Sequence, residues 1–282
     1  MKSIATHSLL LNSFLFYLLT SLMSFCLIFS SFAAASDSRL SLTGSSTIAP
    51  LALEIAKRYE KLHPGTRIDV QTGGSSRGIN DTRTKIADIG MVSRSLTSIE
   101  TDLTSHLIAI DGIGIIVHRD NPITHLGNTE IIAIYTGEIT NWQDLGGANL
   151  PITVVNKAEG RSTLELFLQY FSLKNSQVKA QVVIGDNQQG IKTVAANPGA
   201  IGYVSIGTAE YEENQGTPIR RLPLADVPAT TEQVSNGQYP LSRKLNFVVI
   251  EPSENLTKKF IHFAKSADVY DLIEGLFFVP AH

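Results

Sequence analysis

The sequence predicts an α/β protein of two lobes, each a mostly parallel sheet flanked by helices, with a hinge between them. Three observations carry that prediction. From Ser38 onward, short apolar runs alternate with segments of helical periodicity. Glycine- and serine-rich loops sit where predicted strands pass into predicted helices. Once an N-terminal apolar segment is set aside, about 247 residues remain, enough for one large domain or for two lobes of roughly 100 to 150 residues.

That N-terminal segment, residues 1–35, has the build of a secretory signal. It holds one early lysine, Lys2, no acidic residue, and an apolar run from Leu9 through Phe32. Ala33, Ala34 and Ala35 suit signal-peptidase cleavage just before the polar Ser36-Asp37-Ser38, which places the mature chain in the periplasm. A retained anchor is the alternative, because the run approaches the length of a membrane span. Cys26 is the only cysteine. Lipoprotein processing needs a small residue before it, and Phe25 stands there. Cleavage after Ala35 leaves no cysteine, hence no disulfide and no thiolate metal site.

The formal net charge is −3; without Lys2 it is about −4, which argues against a nucleic-acid partner. It does not argue against an anion, because a pocket answers to its own amides and side chains rather than to the total charge.

The elements follow in order. Leu40–Leu42 reads as a strand, and Gly44-Ser45-Ser46-Thr47 opens a helix carrying Ile48, Leu51, Ala52, Ile55, Tyr59 and Leu62 at helical spacing, with Pro50 tolerated in its first turn. His63-Pro64-Gly65 stops it. Arg67–Val70 is a strand, Gly73–Gly78 a turn into a helix through Ile86, and Ile89–Val92 a strand. Leu107–Ile110 and Ile113–Val117 are extended runs around Asp111-Gly112, where the chain is expected to cross between lobes. A second unit has a helix near Glu130–Tyr135, a strand Ile152–Val155, and a helix from Arg161 or Ser162 with Leu164, Phe167, Leu168 and Phe171 on one face. Val182–Ile184, a helix near Ile191–Ala196 and a strand Ile201–Val204 complete it. Ser205–Tyr239 reads as connection, Leu245–Ile250 as a last strand and Glu254–Phe278 as helices. The expected lobes are 36–112 plus 205–282, and 113–204.

Three loops of similar chemistry precede predicted helices: Gly44-Ser45-Ser46-Thr47, Gly73-Gly74-Ser75-Ser76 and Glu159-Gly160-Arg161-Ser162-Thr163. A helix N-terminus offers unpaired N–H groups and partial positive charge, and hydroxyls add donors, so each loop is suited to an anion. Any one of them is explained by N-capping alone; three together favour binding. Arg161 lies inside its turn and is the first candidate to touch a ligand, since a guanidinium engages two oxygens at once. For Arg77, Arg94 and Lys157 a solvated or salt-bridged role accounts for the charge equally well.

Seven segments in order, Gly44-Ser-Ser-Thr-Ile-Ala-Pro-Leu, Gly73-Gly-Ser-Ser-Arg-Gly-Ile, Asp88-Ile-Gly-Met-Val-Ser-Arg, Asp111-Gly-Ile-Gly, Tyr135-Thr-Gly-Glu-Ile-Thr-Asn-Trp, Gly199-Ala-Ile-Gly-Tyr-Val and Tyr239-Pro-Leu-Ser-Arg, resemble the phosphate-binding proteins of ABC phosphate importers. The resemblance implies the type II periplasmic-binding-protein fold, inorganic phosphate buried between the lobes, and a permease and ATPase complex at the inner membrane as partner. Carried over by position, phosphate contacts fall on Ser46, Thr47 and the Ile48 amide, on Ser75 with Ser76 beside it, and on the third loop with Arg161, Ser162 and Thr163. The third loop departs from the family pattern, with Lys157 in place of an arginine. The position of the carboxylate that accepts a proton from phosphate in some members is Ser93 here, followed by Arg94. Asp111 and Asp88 are the candidates to replace it, and a structural turn role accounts for either equally well.

Rival readings are another oxyanion of the sulfate kind, and a sensor or surface-attachment protein. A more remote one is a serine hydrolase, since Gly74-Ser75-Ser76-Arg77-Gly78 matches a nucleophile elbow on Ser76. No histidine sits in a setting that suggests a triad, so no enzyme activity is expected. The histidines lack paired spacing, and neither metal nor cofactor is expected.

Overall fold

The computed structural model describes residues 38–281. The expected signal segment 1–35, its cleavage site and Cys26 lie outside the described residues.

β1 (Ser38–Gly44) leads through the first serine loop into α1 (Ala49–Leu62), which buries Leu51, Ala52, Ile55 and Tyr59 and carries a proline in its first turn. β2 (Thr66–Thr72) leads into α2 (Ser75–Arg83), and β3 (Ile89–Val92) follows. α2 stops short of the expected Ile86, because Lys85 turns to φ 57°, and Ile86 is left 65% exposed.

β4 (Thr104–His118) is one unbroken strand of 15 residues where the sequence predicts two runs. From Thr104 to Gly112 it pairs antiparallel with β9 (Ser242–Val249). From Ile113 to Val117 it pairs antiparallel with β7 (Ala200–Ser205), and from Ile115 to His118 with β8 (Ile219–Leu222). The crossing thus falls at Asp111-Gly112. A Cβ on Gly112 would lie 2.5 Å from the Ile206 side chain and 2.9 Å from that of Val234, so the crossing is closely packed.

The strand order is β2-β1-β3-β9-β4-β7-β5-β6, with β5 (Thr153–Lys157) and β6 (Val182–Ile184) at the far edge, and with β8 and β10 (Val279–Pro280) also on β4. β1 with β3, β5 with β6 and β5 with β7 are parallel, as strand-helix-strand units require. The antiparallel pairs gather around β4 and β9, where the chain passes from one half to the other.

Two cores result. Leu42, Ile55, Met91, Leu245, Phe247 and Phe260 belong to the first, and Ile115, Tyr135, Trp142, Phe167 and Tyr203 to the second. Phe167 stacks on Tyr203 with ring centroids 3.9 Å apart. The helices of the second half are α3 (Asn128–Thr136), α4 (Ser162–Tyr170) and α5 (Asn187–Ala195).

One further expectation differs from the structure. Ser205–Tyr239 is not mere connection but holds α6 (Ile206–Asn214), β8 and α7 (Thr231–Ser235). Its apolar residues Ile206, Leu222, Val234 and Tyr239 pack in the second core. The reason is β4, whose far half carries β7 and β8 together. After Leu241 the chain returns through β9 to the first core, followed by α8 (Asn255–Ala264) and α9 (Tyr270–Gly275).

Candidate oxyanion site

The strands of both halves end facing one buried polar region. β1 ends at Gly44 and delivers Ser45 and Thr47, β2 delivers Ser75, β3 delivers Ser93, and β5 ends on Lys157. Ligands of open α/β sheets gather beyond such carboxyl ends. Thr47, Ser75, Ser93, Asp111, Lys157, Ser162, Thr163, Asn187 and Arg243 are all buried there.

Arg243, near the start of β9, is the centre of the region. Its Nε and Nη2 donate to Asp111 Oδ2 at 3.0 and 2.8 Å, Nη1 donates to Thr163 Oγ1 at 2.8 Å, and Nη2 reaches Thr47 Oγ1 at 3.2 Å. Asp111 Oδ1 accepts from the Gly207 N–H at 3.2 Å. One guanidinium therefore joins the first loop, the crossing strand and the third loop. Asn187 adds a link, donating through Nδ2 to Thr47 Oγ1 at 3.3 Å and accepting from Lys157 Nζ at 3.0 Å.

The region is cationic. Burial first, and then the Arg243 guanidinium, lower the Lys157 pKa to about 7; Arg161 pushes the same way and Asp186 opposes it. Arg161 has no carboxylate partner among the described residues, and its Nε is buried without a hydrogen bond. Ser162 Oγ, at the N-terminus of α4, is buried and unpartnered as well. Buried donors left unpaired are costly, and an oxyanion would satisfy them.

The second and third loops touch. Ser76 N–H donates to the Gly160 carbonyl at 3.2 Å, and a Cβ on Gly74, whose φ is 96°, would lie 2.5 Å from that carbonyl oxygen and 2.9 Å from Arg161 Cδ. Only glycine permits that approach.

The sequence-predicted residues fall into two groups. Thr47, Ser75, Ser93, Asp111, Ser162 and Thr163 are buried in the polar region, with Ile48 at the start of α1 and Ser46 at its rim. Ser75 Oγ accepts from the Ser93 N–H at 3.2 Å. Arg94 is otherwise engaged: Nη1 and Nη2 donate to Glu100 at 2.8 and 2.9 Å and Nε to Glu165 at 2.7 Å, so its donors are taken by carboxylates. Ser76 Oγ donates to Glu165 Oε1 at 3.3 Å, its hydroxyl facing a carboxylate where a nucleophile needs a base such as histidine. Arg77 is tied to Asp81, and Asp88, just before β3, accepts through Oδ2 from the Ser41 N–H and hydroxyl in the middle of β1. The sequence alone assigns no binding role to Arg243 or Asn187. Arg243 ends the Tyr239–Arg243 segment, and its pairing with Asp111 in the β4–β9 register is what gives it meaning.

The fold and this site define a binding protein with two cores and one buried cationic region between them. The chain belongs to the PBP superfamily domain family, whose model matches residues 31–268. It is 28% identical over 235 residues to the phosphate-binding protein PstS of Bacillus subtilis, covering 82% of this chain and 76% of that protein. A structure with bound phosphate from Clostridium perfringens, provisionally named as a phosphate ABC transporter substrate-binding protein, superposes with a TM-score of 0.81 at 30% identity, covering 87% of this chain and 100% of the other. An ABC-type phosphate transport receptor from Vibrio cholerae gives 0.70 at 29% identity, covering 85% and 99%.

Proposed function

We propose that this chain is an extracytoplasmic binding protein that captures inorganic phosphate between two lobes and passes it to an ABC permease and ATPase complex. The observation that carries this reading is the convergence of Lys157, Arg161 and Arg243 on one buried region where Asp111 pairs with Arg243, leaving the donors of Ser162 and Arg161 unmatched. Its relatives bearing a phosphate-binding name support the choice of oxyanion. Among the described residues no helix is long and apolar enough to cross a membrane.

In the mechanism, one lobe comprises 38–111 with 242–281 and the other 112–241. Ser46, Thr47, Ser75 and the helix N-terminus at Ile48 hold the anion from the first lobe. Arg161, Ser162 and Thr163 close on it from the second, while Arg243 ties both sides together. Charge-assisted hydrogen bonds in a dry site offset the cost of stripping water from the anion. Arg94 bridges the lobes through Glu100 and Glu165 rather than touching the ligand. The closed form is what the permease recognises, and no covalent step occurs.

Solution X-ray scattering tests the closure. Phosphate should reduce the radius of gyration of protein freed of ligand by refolding; an unchanged radius despite bound phosphate would contradict it.

A further inference from the structure

A cavity of about 380 Å³ opens at the seam of the two cores and shares Ser46 and Asn187 with the oxyanion region. One wall, from α1 and β2, is apolar and includes Pro50, Leu53 and Val70. Leu53 is 42% exposed although α1 buries its other large apolar side chains as far as Tyr59. The facing wall holds Asp186, Asn187 and Gln188 at the start of α5. Asp186 and Gln188 are committed within their own half: Asp186 Oδ1 accepts from the Gln189 N–H at 2.8 Å, and Gln188 Nε2 donates to Glu212 at 2.8 Å. Asn187 links this cavity to the buried cations, through its bonds to Thr47 and Lys157.

A tetrahedral inorganic ion makes no use of an apolar wall. A volume of this size with apolar lining and a few placed polar groups is that of a small-molecule subsite. Resting on the reading that the cationic region takes a phosphate group, we propose that the site also accepts phosphomonoesters or phosphonates whose short, uncharged or cationic substituent lies in this cavity against Leu53. The Asp186 carboxylate facing the cavity disfavours a substituent with a second negative charge.

The test is calorimetric titration with phosphate, propylphosphonate and phosphonoacetate. Propylphosphonate should bind within about tenfold of phosphate, and phosphonoacetate about a hundredfold more weakly, since a misplaced charge outweighs a methylene. Leu53→Asp should weaken propylphosphonate about tenfold and leave phosphate unchanged. Asp186→Asn, which keeps a helix-capping side chain, should narrow the gap for phosphonoacetate. Phosphate binding without propylphosphonate binding, or equal losses of both ligands in Leu53→Asp, overturns the inference and leaves the phosphate reading standing. Propylphosphonate binding without phosphate overturns the inorganic-phosphate reading and supports the subsite. Binding of neither removes both.

Discussion

Arg243 and Asp111, 132 residues apart in sequence, meet across the β4–β9 register in a buried two-donor ion pair at 2.8 and 3.0 Å. Asp111 stands at the crossing between the halves, so the pair fixes a cation where the chain passes from one core to the other. Removing its carboxylate leaves that cation buried without its partner. Asp111→Ala should therefore destabilise the ligand-free protein by about 3 to 5 kcal/mol. Saturating phosphate should restore part of the loss in thermal unfolding, because a bound anion supplies the missing charge and stabilises by mass action.

Arg161 is the cation least compensated by the protein. Arg161→Ala should weaken phosphate binding by about 2 to 5 kcal/mol, as expected when one partner of a buried charge pair is lost. Unfolding of the ligand-free variant should stay near wild type. Unchanged affinity would remove Arg161 from the site.

The Lys157 ammonium, held down at about 7 by burial and by Arg243, makes binding proton-linked. A bound oxyanion opposes those causes and raises the pKa. Near neutral pH about half of the ligand-free protein carries this proton, so binding should draw in up to about 0.5 proton, and affinity should fall as pH rises above 7. Titrations in buffers of different ionisation enthalpy measure the uptake, with Lys157→Met separating the lysine from the titration of phosphate itself. For folding the sign runs upward: the unfolded chain binds more protons between about 7 and 10.5, so ligand-free stability should gain from this group as pH rises through that window.

The Arg94 hydrogen bond lowers the Glu100 pKa from 4.5 to about 2. A depressed carboxyl stabilises the fold above its unfolded value, and that contribution is lost as pH falls from about 4.5 toward 2. Arg94→Gln should flatten the acid limb of the stability curve. Glu165 is the more exposed partner, and Glu165→Gln should cost below about 1 kcal/mol of stability while weakening the link between the halves.

Gly74 takes φ 96° against the Gly160 carbonyl. Gly74→Ala should hold the second and third loops apart, reducing phosphate affinity about tenfold or more while chiefly raising the dissociation rate. Stopped-flow dissociation reads this directly.

How far the sequence discloses this molecule depends on the length over which a signal acts. The serine loops at Ser46, Ser75 and Ser162 are local, because hydroxyls and glycines at helix starts announce themselves within a few residues. The strands and the crossing at Asp111-Gly112 are likewise legible from apolar runs broken by a turn. Arg243 is not, since its role depends on strand register rather than on neighbours in sequence. Asn187 is hidden for the same reason, its partners being Thr47 and Lys157. The stretch from Ser205 to Tyr239 fails differently: α7 has 5 residues and β8 has 4, too short for periodicity to rise above a polar background. Arg94 shows the limit of reading charge by position, as its partners Glu100 and Glu165 come from two separate segments.

The most direct measurement is calorimetric titration of protein freed of ligand by unfolding and refolding, with phosphate and sulfate in separate runs. Tight, single-site binding of phosphate with sulfate much weaker is the predicted result. Failure of phosphate to bind would contradict the account and leave the buried cations of Lys157, Arg161 and Arg243 in need of another anion.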